Sequence, residues 1–267
     1  MIVRLIVSLL CLSSTLAWSS DKLLGGESFI PYEDLRQLVI RGDVNVIMGG
    51  DSHLNVIEFD PDMVKINQLP GGAIELAPSA VTRFTQSIVS PTIVVRSNNR
   101  FKDLYQLTIR DSSSLVAKDL ESQSLAVEVK TTGSVMIEGV MNLNYLQVTE
   151  SSDVEIYWVD SHSLDVSVEK GDVIIAGRTD FLTLKGMDAA NVDASGLIAK
   201  RSWVSGVETA RLAVFPTEEL FAYTKENSIV DVKQKPRVYA ALNQAPSTIV
   251  LNYVEMEQRA SAAARLK

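Results

Sequence analysis

The sequence predicts an all-β protein, a right-handed parallel β-helix (β-solenoid) with turns of about 19 residues and a short C-terminal helix or tail. Three observations predict it: a short polar-apolar motif that returns at a fixed interval, a second motif that returns between its copies, and small residues at the corners between them. Composition agrees with this class. Aromatic residues make up only 6% of the chain while Val, Ile, Leu, Ser, Thr and Asp are frequent, a mixture that suits half-buried strands joined by polar turns.

The first motif is Ser134-Val135-Met136-Ile137, Asp153-Val154-Glu155-Ile156, Asp172-Val173-Ile174-Ile175 and Asn191-Val192-Asp193-Ala194, whose copies start 19 residues apart. The second is Leu125-Ala126-Val127, Leu146-Gln147-Val148, Leu164-Asp165-Val166 and Leu182-Thr183-Leu184, spaced by 21, 18 and 18 residues. Both series alternate apolar and variable positions, so each copy reads as a short strand with one buried face. A turn of two or three such strands buries little alone. Stacked turns, separated by the inter-strand spacing of about 4.8 Å, would set Val135, Val154, Val173 and Val192 in one interior column and build a continuous core. The corners Thr132-Gly133, Ser151-Ser152, Lys170-Gly171 and Ala189-Ala190, and the glycines Gly139, Gly177 and Gly196 beyond each motif, supply small or left-handed residues where the chain must bend. The pattern extends more loosely back through Leu107-Thr108-Ile109 and Ser114-Leu115-Val116-Ala117 and forward through Thr209-Ala210-Arg211-Leu212 and Ser228-Ile229-Val230-Asp231-Val232. A sandwich of hairpins is the alternative fold.

Along the chain, residues 1–17 read as a secretory signal peptide: one early cation, Arg4, an apolar run from Leu5 to Leu12, then small and polar residues ending at Ala17. The lipoprotein alternative would use Cys11, but Leu10 stands where such signals carry a small residue. Cys11 is the single cysteine, so an exported chain cleaved near Trp18 forms no disulfide. Residues 18–253 read as one solenoid domain. Within it residues 18–100 are less regular N-terminal turns and a cap, with strand-like Leu38-Val39-Ile40, Val44-Asn45-Val46-Ile47 and Leu54-Asn55-Val56-Ile57 and a turn-rich excursion from Gln68 to Ser79; residues 101–253 carry the regular repeat. Residues 254–267, rich in Glu, Arg and Ala, read as a helical or frayed tail over the last open turn.

This pattern resembles the putative auto-transporter adhesin head (GIN) domain family, over about Leu38 to Asn252. The resemblance rests on Leu38-Val39-Ile40-Arg41-Gly42-Asp43-Val44-Asn45-Val46, on the repeated two-strand turns, and on Ser205-Gly206-Val207-Glu208-Thr209-Ala210-Arg211-Leu212 with Lys235-Pro236 beyond it. The chain departs from the family in keeping Ser195-Gly196 and Ser205-Gly206 as its main Ser-Gly pairs and in carrying Gln234-Lys235-Pro236 where a Gly-x-Pro is usual. The resemblance implies a parallel β-helix in the periplasm or at the cell surface, and it implies no ligand or catalytic residue.

Chemistry is sparse. His53 and His162 are the only histidines, in no metal-binding spacing, and read as turn residues. Without cysteine in the exported chain, thiol nucleophiles and thiolate metal sites are excluded, and no Gly-x-Ser-x-Gly elbow, phosphate loop or dinucleotide fingerprint occurs. A net charge of −8 with scattered cations argues against nucleic acid and anionic membrane surfaces as partners. No second segment has the length of a transmembrane helix.

The repeat itself supplies the candidate sites. Glu150, Glu169 and Asp188, and three positions later Asp153, Asp172 and Asn191, recur at 19-residue spacing and would stack into two neighbouring columns. Carboxylates gathered so could hold Ca²⁺, which takes six to eight oxygen ligands; otherwise these residues bond their own corner backbone or stay solvated. Tyr157 and Trp158 could stack on a sugar if exposed, whereas Trp203 sits at an apolar position and reads as core. The functional expectation is an exported, adhesin-like, non-enzymatic module presenting a β-helix face to a glycan or protein partner, with oligomerisation through the solenoid ends as a further route. The alternative is a carbohydrate-active enzyme, a polysaccharide lyase or glycosidase using these acids with Lys170, Lys185 or Arg178.

Overall fold

The computed structural model describes residues 28–50, 52–80 and 90–252. The signal segment, Cys11 and the tail from Val254 expected from the sequence lie outside the described residues. Among those, the elements are strands only, stacked as a β-solenoid of about seven turns.

Alternating strands build two long parallel faces. The A face runs through β2 (Gln37–Ile40), β8 (Gln106–Asp111), β10 (Leu125–Thr131) and β12 (Leu143–Val148), and places Leu107, Val127, Leu146 and Val166 in register, one above another. The B face runs through β3 (Asn45–Gly49), β9 (Ser114–Lys118), β11 (Ser134–Met141) and the start of β13 (Asp153–Gly206), and pairs Val46 with Leu115, Leu115 with Val135 and Val135 with Val154. Strand pairing then runs on through the 54 residues of β13, across several corners at which Trp158 and Asp188 turn to positive φ. Beyond it, β14 (Arg211–Thr224) serves both faces before β15 (Ile229–Val232) and β17 (Thr248–Leu251) extend B and β16 (Val238–Asn243) extends A. Val135, Val154, Val173 and Val192 are each at most 1% exposed, as the 19-residue period requires.

Corners explain how the turns can stack so closely. From β9 onward the residue entering each B-face strand is small: Ser113, Gly133, Ser152, Gly171, Ala190, Ala210, Ser228 or Ser247. A Cβ on Gly133 would lie 2.2 Å from the Ser113 carbonyl oxygen below it. Hydroxyls tie turn to turn: Thr131 donates to the Ser113 carbonyl at 2.8 Å, Ser228 to that of Gly206 at 2.8 Å, and, at another corner, Ser161 to that of Leu143 at 2.8 Å. These bonds satisfy buried hydroxyls that would otherwise destabilise the corner.

The N-terminal region is ordered differently from the simple succession of turns the sequence suggests. Strands β6 (Ala73–Pro78) and β7 (Thr92–Arg96) pair in parallel with β2 and β3 on the side opposite β8 and β9, so this later segment forms the turn stacked before the first one. The stretch from Gln68 to Ser79, expected as a turn-rich excursion, is instead part of a hairpin: β5 (Val64–Leu69) pairs antiparallel with β6 around Gly71 and Gly72, both at positive φ. Beside it β1 (Ser28–Pro31) and β4 (Val56–Phe59) add antiparallel strands onto β7. Antiparallel strands of this kind close an end that would otherwise present a row of unpaired backbone groups. The Tyr32 hydroxyl donates to the Arg96 carbonyl at 2.6 Å across this cap, and burial pushes its pKa up.

Candidate functional site

The solenoid corner that follows the B face holds the feature that departs most from the repeat. Gly139 and Gly177 occupy it in two turns with φ of 149° and 140°, and a Cβ on either would fall 2.1 Å from the carbonyl oxygen of Leu120 or Val159 respectively. The residue 19 positions from each is Trp158, which holds φ at 68°. A left-handed backbone costs an L-residue about 1–2 kcal/mol. The other non-glycine residues in that region are Asp111, Asp119 and Asp188, whose short polar side chains tolerate it, Glu208, Glu226 and Arg100, and Phe101, which is 1% exposed and so recovers the cost by burial. Trp158 is 69% exposed and recovers nothing that way.

A register shift explains how the indole comes to stand out. Glu138 pairs with Tyr157 and Met141 with Val159, so the two residues Gly139 and Val140 face the single Trp158. Such a bulge re-aims a side chain without breaking the sheet. Trp158 and Val140, 62% exposed, flank a recess of about 290 Å³ whose remaining walls are Arg100, Asp119, Glu121, Glu138 and Gly139. The Arg100 guanidinium donates to Glu121 at 2.5 Å and holds that carboxyl below its usual range. Tyr157 precedes Trp158 in β13, half-buried, and donates its hydroxyl to Glu155 at 2.9 Å; that bond, burial and the charges of Glu155 and Glu138 raise its pKa. The structure therefore brings Tyr157 and Trp158 together with three carboxylates of adjacent turns, Glu155, Glu138 and Glu121.

The acidic columns behave otherwise. Ser134 pairs with Asp153, and Asn191, at the same position two turns on, donates its amide to Asp172 at 2.6 Å. Asp188 pairs with Lys170 at 3.4 Å, and Glu150 lies exposed on its corner while Glu169 is half-buried. Among the described residues no group of three or more His, Cys, Asp or Glu side chains is placed to hold a metal ion. Asp172 and Asp188 thus spend their oxygens on Asn191 and Lys170.

His162, expected in a turn, lies within β13 on a third side of the solenoid, where it bonds Asp180 at 2.9 Å and meets Phe181 edge-on at 5.3 Å. His53 lies exposed in a bend. Around His162, Arg178 forms a two-pronged pair with Asp160 at 2.8 and 2.7 Å, and Lys200 reaches Asp180 at 2.5 Å. Each partner shifts the other: Arg178 lowers the pKa of Asp160, while Lys200 first and His162 second lower that of Asp180. A carboxylate held below its usual range stabilises the fold above the unfolded pKa and loses that effect as pH falls through the lowered one. Because the pair is open to water, Arg178→Ala is expected to shift the melting midpoint barely at pH 7. The small difference should shrink as pH falls below the ordinary carboxylate range and vanish once the lowered Asp160 pKa is passed; melting curves across pH check this.

Trp203 is the clear correction. Expected in the core, it is 64% exposed, because Val204 and Ser202 on either side point inward at 3% and 0% exposure and alternation turns the indole out. It stacks at 5.5 Å on Phe221 of the next turn.

Solved bacterial structures share this fold. A "putative adhesin" of Parabacteroides merdae superposes with a TM-score of 0.64 at 13% identity, covering 84% of this chain and 94% of that one. A "putative lipid binding protein" of Parabacteroides distasonis does so with 0.63 at 14% identity, covering 85% and 98%. A "putative adhesin" of Bacteroides fragilis gives 0.53 at 15% identity over 84% and 95%. No family model matches the sequence, and no curated protein matches it.

Proposed function

We propose that this chain is an exported, non-enzymatic binding module of the cell envelope that takes a neutral glycan at the Trp158 recess. The observation that carries this reading is the exposed indole of Trp158, held at positive φ on the bulge where Gly139 and Val140 face it. Backbone strain that packing does not compensate is characteristic of ligand sites. An indole offers a flat apolar platform for the C–H face of a sugar ring, and the carboxylates of Glu138 and Glu121 accept hydrogen bonds from sugar hydroxyls beside it. Asp119, Glu121 and Glu138 outnumber Arg100 around the recess, so a glycan carrying its own carboxylates or sulfates is disfavoured.

The binding reading is also supported by solved relatives described as adhesins and a lipid-binding protein, none as an enzyme. Against the lyase or glycosidase alternative stand the ion pairs that occupy Lys170 and Arg178. Trp158→Gly should leave the denaturant midpoint unchanged or raise it, since glycine relieves about 1–2 kcal/mol of backbone strain. The same change should weaken co-sedimentation with neutral polysaccharides by at least about tenfold, the loss of one aromatic platform. A variant that binds as well as the parent would sink the assignment of the site.

A further inference from the structure

The last turns of the A face carry a second, chemically different surface. In register on successive turns stand Trp203, Phe221 and Ala240, and beside them Ser205, Tyr223 and Leu242. Earlier turns of the same face present Glu128, Gln147 and Ser167 in the second column and Ala126, Tyr145 and Asp165 in the first, so the apolar character is confined to this end. Trp203 and Phe221 form one wall and Tyr223 and Leu242 the other, around a trough of about 450 Å³ that spans the turns from Thr183 and Lys185 to Ala240 and Leu242. Three inter-strand steps give it a length of about 14 Å along the solenoid axis. Lys185 is the only cation lining it, and among the described residues that ammonium has no ion-pair partner.

We propose that this trough binds a single-chain anionic amphiphile of the fatty-acid type, its acyl chain between the two walls and its carboxylate at Lys185. A narrow apolar channel ending in one unpaired ammonium is complementary to a ligand with an apolar chain and one terminal anion. An uncharged peptide would leave the ammonium unanswered. A second copy docked about a two-fold axis would set the Lys185 end against the partner's Leu242 end and desolvate the charge without compensation. The trough lies apart from Trp158, so the two readings fail independently.

Calorimetric titration of the full chain with dodecanoate below its micellar range, and in parallel with dodecyl maltoside, tests the proposal. Saturable one-to-one binding of dodecanoate is expected. Trp203→Ala should weaken both ligands by about tenfold while leaving the melting midpoint close to wild type, because the indole is exposed. Lys185→Gln should weaken dodecanoate by about fivefold and leave dodecyl maltoside within about twofold. Absence of dodecanoate binding, equal loss for both ligands in Lys185→Gln, or a dimer in sedimentation that Trp203→Ala dissociates would each overturn it.

Discussion

Gly177→Ala is expected to lower the stability of the protein by about 3 kcal/mol or more, read as a fall in the denaturant midpoint at unchanged slope. Two causes add. The backbone φ of 140° lies where side chains with a Cβ rarely go, and the new Cβ would stand 2.1 Å from the Val159 carbonyl oxygen and 2.6 Å from its amide nitrogen. Those atoms belong to the stacked strand below, whose spacing is fixed by the ladder, so neither can yield as a flexible side chain would. Gly49→Ala is the control: that glycine lies in β3 with nothing within 4 Å of the added methyl and no positive φ. It should be neutral within about 0.5 kcal/mol. If the two variants unfold alike, corner geometry does not set the close stacking.

Ile156→Ala is expected to cost about 3 kcal/mol. Ile156 is 0% exposed and pairs with Ile137 in the turn before, within an interior column continued by Ile175 and Ala194. A solenoid turn contacts only its neighbours, so the cavity cannot be filled by movement from elsewhere. Val154→Ala in the adjacent column should cost less, about 1–2 kcal/mol, in proportion to the atoms removed. Urea denaturation of both variants measures this. Near-neutral values for both would mean that these side chains do not face the interior.

The period made the regular half of the molecule legible. Once Val135, Val154, Val173 and Val192 are aligned at 19 residues, parallel stacking and the inward face of each strand follow, and the observed register of Val135 on Val154 is the one the spacing demands. The N-terminal turns were less legible because β6 and β7 enter the stack out of chain order, an arrangement that local periodicity does not encode. Trp203 was misplaced for a related reason. In Ser202-Trp203-Val204-Ser205 either hydrophobe could face inward, and a one-residue choice of register reverses every side chain; the column through Leu146, Val166 and Ala222 decides for Val204.

The site was half legible. Tyr157 and Trp158 stand out as candidates by residue type alone, but the reason to single out Trp158 is positional. Counting 19 from Gly139 lands on it, but the bulge sets Gly139 and Val140 against Trp158 and stacks Gly177 on Val159, so the period alone does not place the indole. The acidic columns were legible as a spacing and misleading as chemistry, since a 19-residue repeat stacks side chains without saying which of them find partners. Asn191 in the place of a third aspartate is the clue: it supplies the amide that satisfies Asp172.

The reading of this protein as a glycan-binding rather than glycan-cleaving module is tested most directly by incubating the full chain with neutral and acidic polysaccharides and measuring bound polymer and polymer length together. The expected result is retention of a neutral polysaccharide at undiminished length, lost in Trp158→Gly and kept in Asp153→Asn/Asp172→Asn. Shortened products that disappear in the double carboxylate variant would contradict it and make the chain an enzyme.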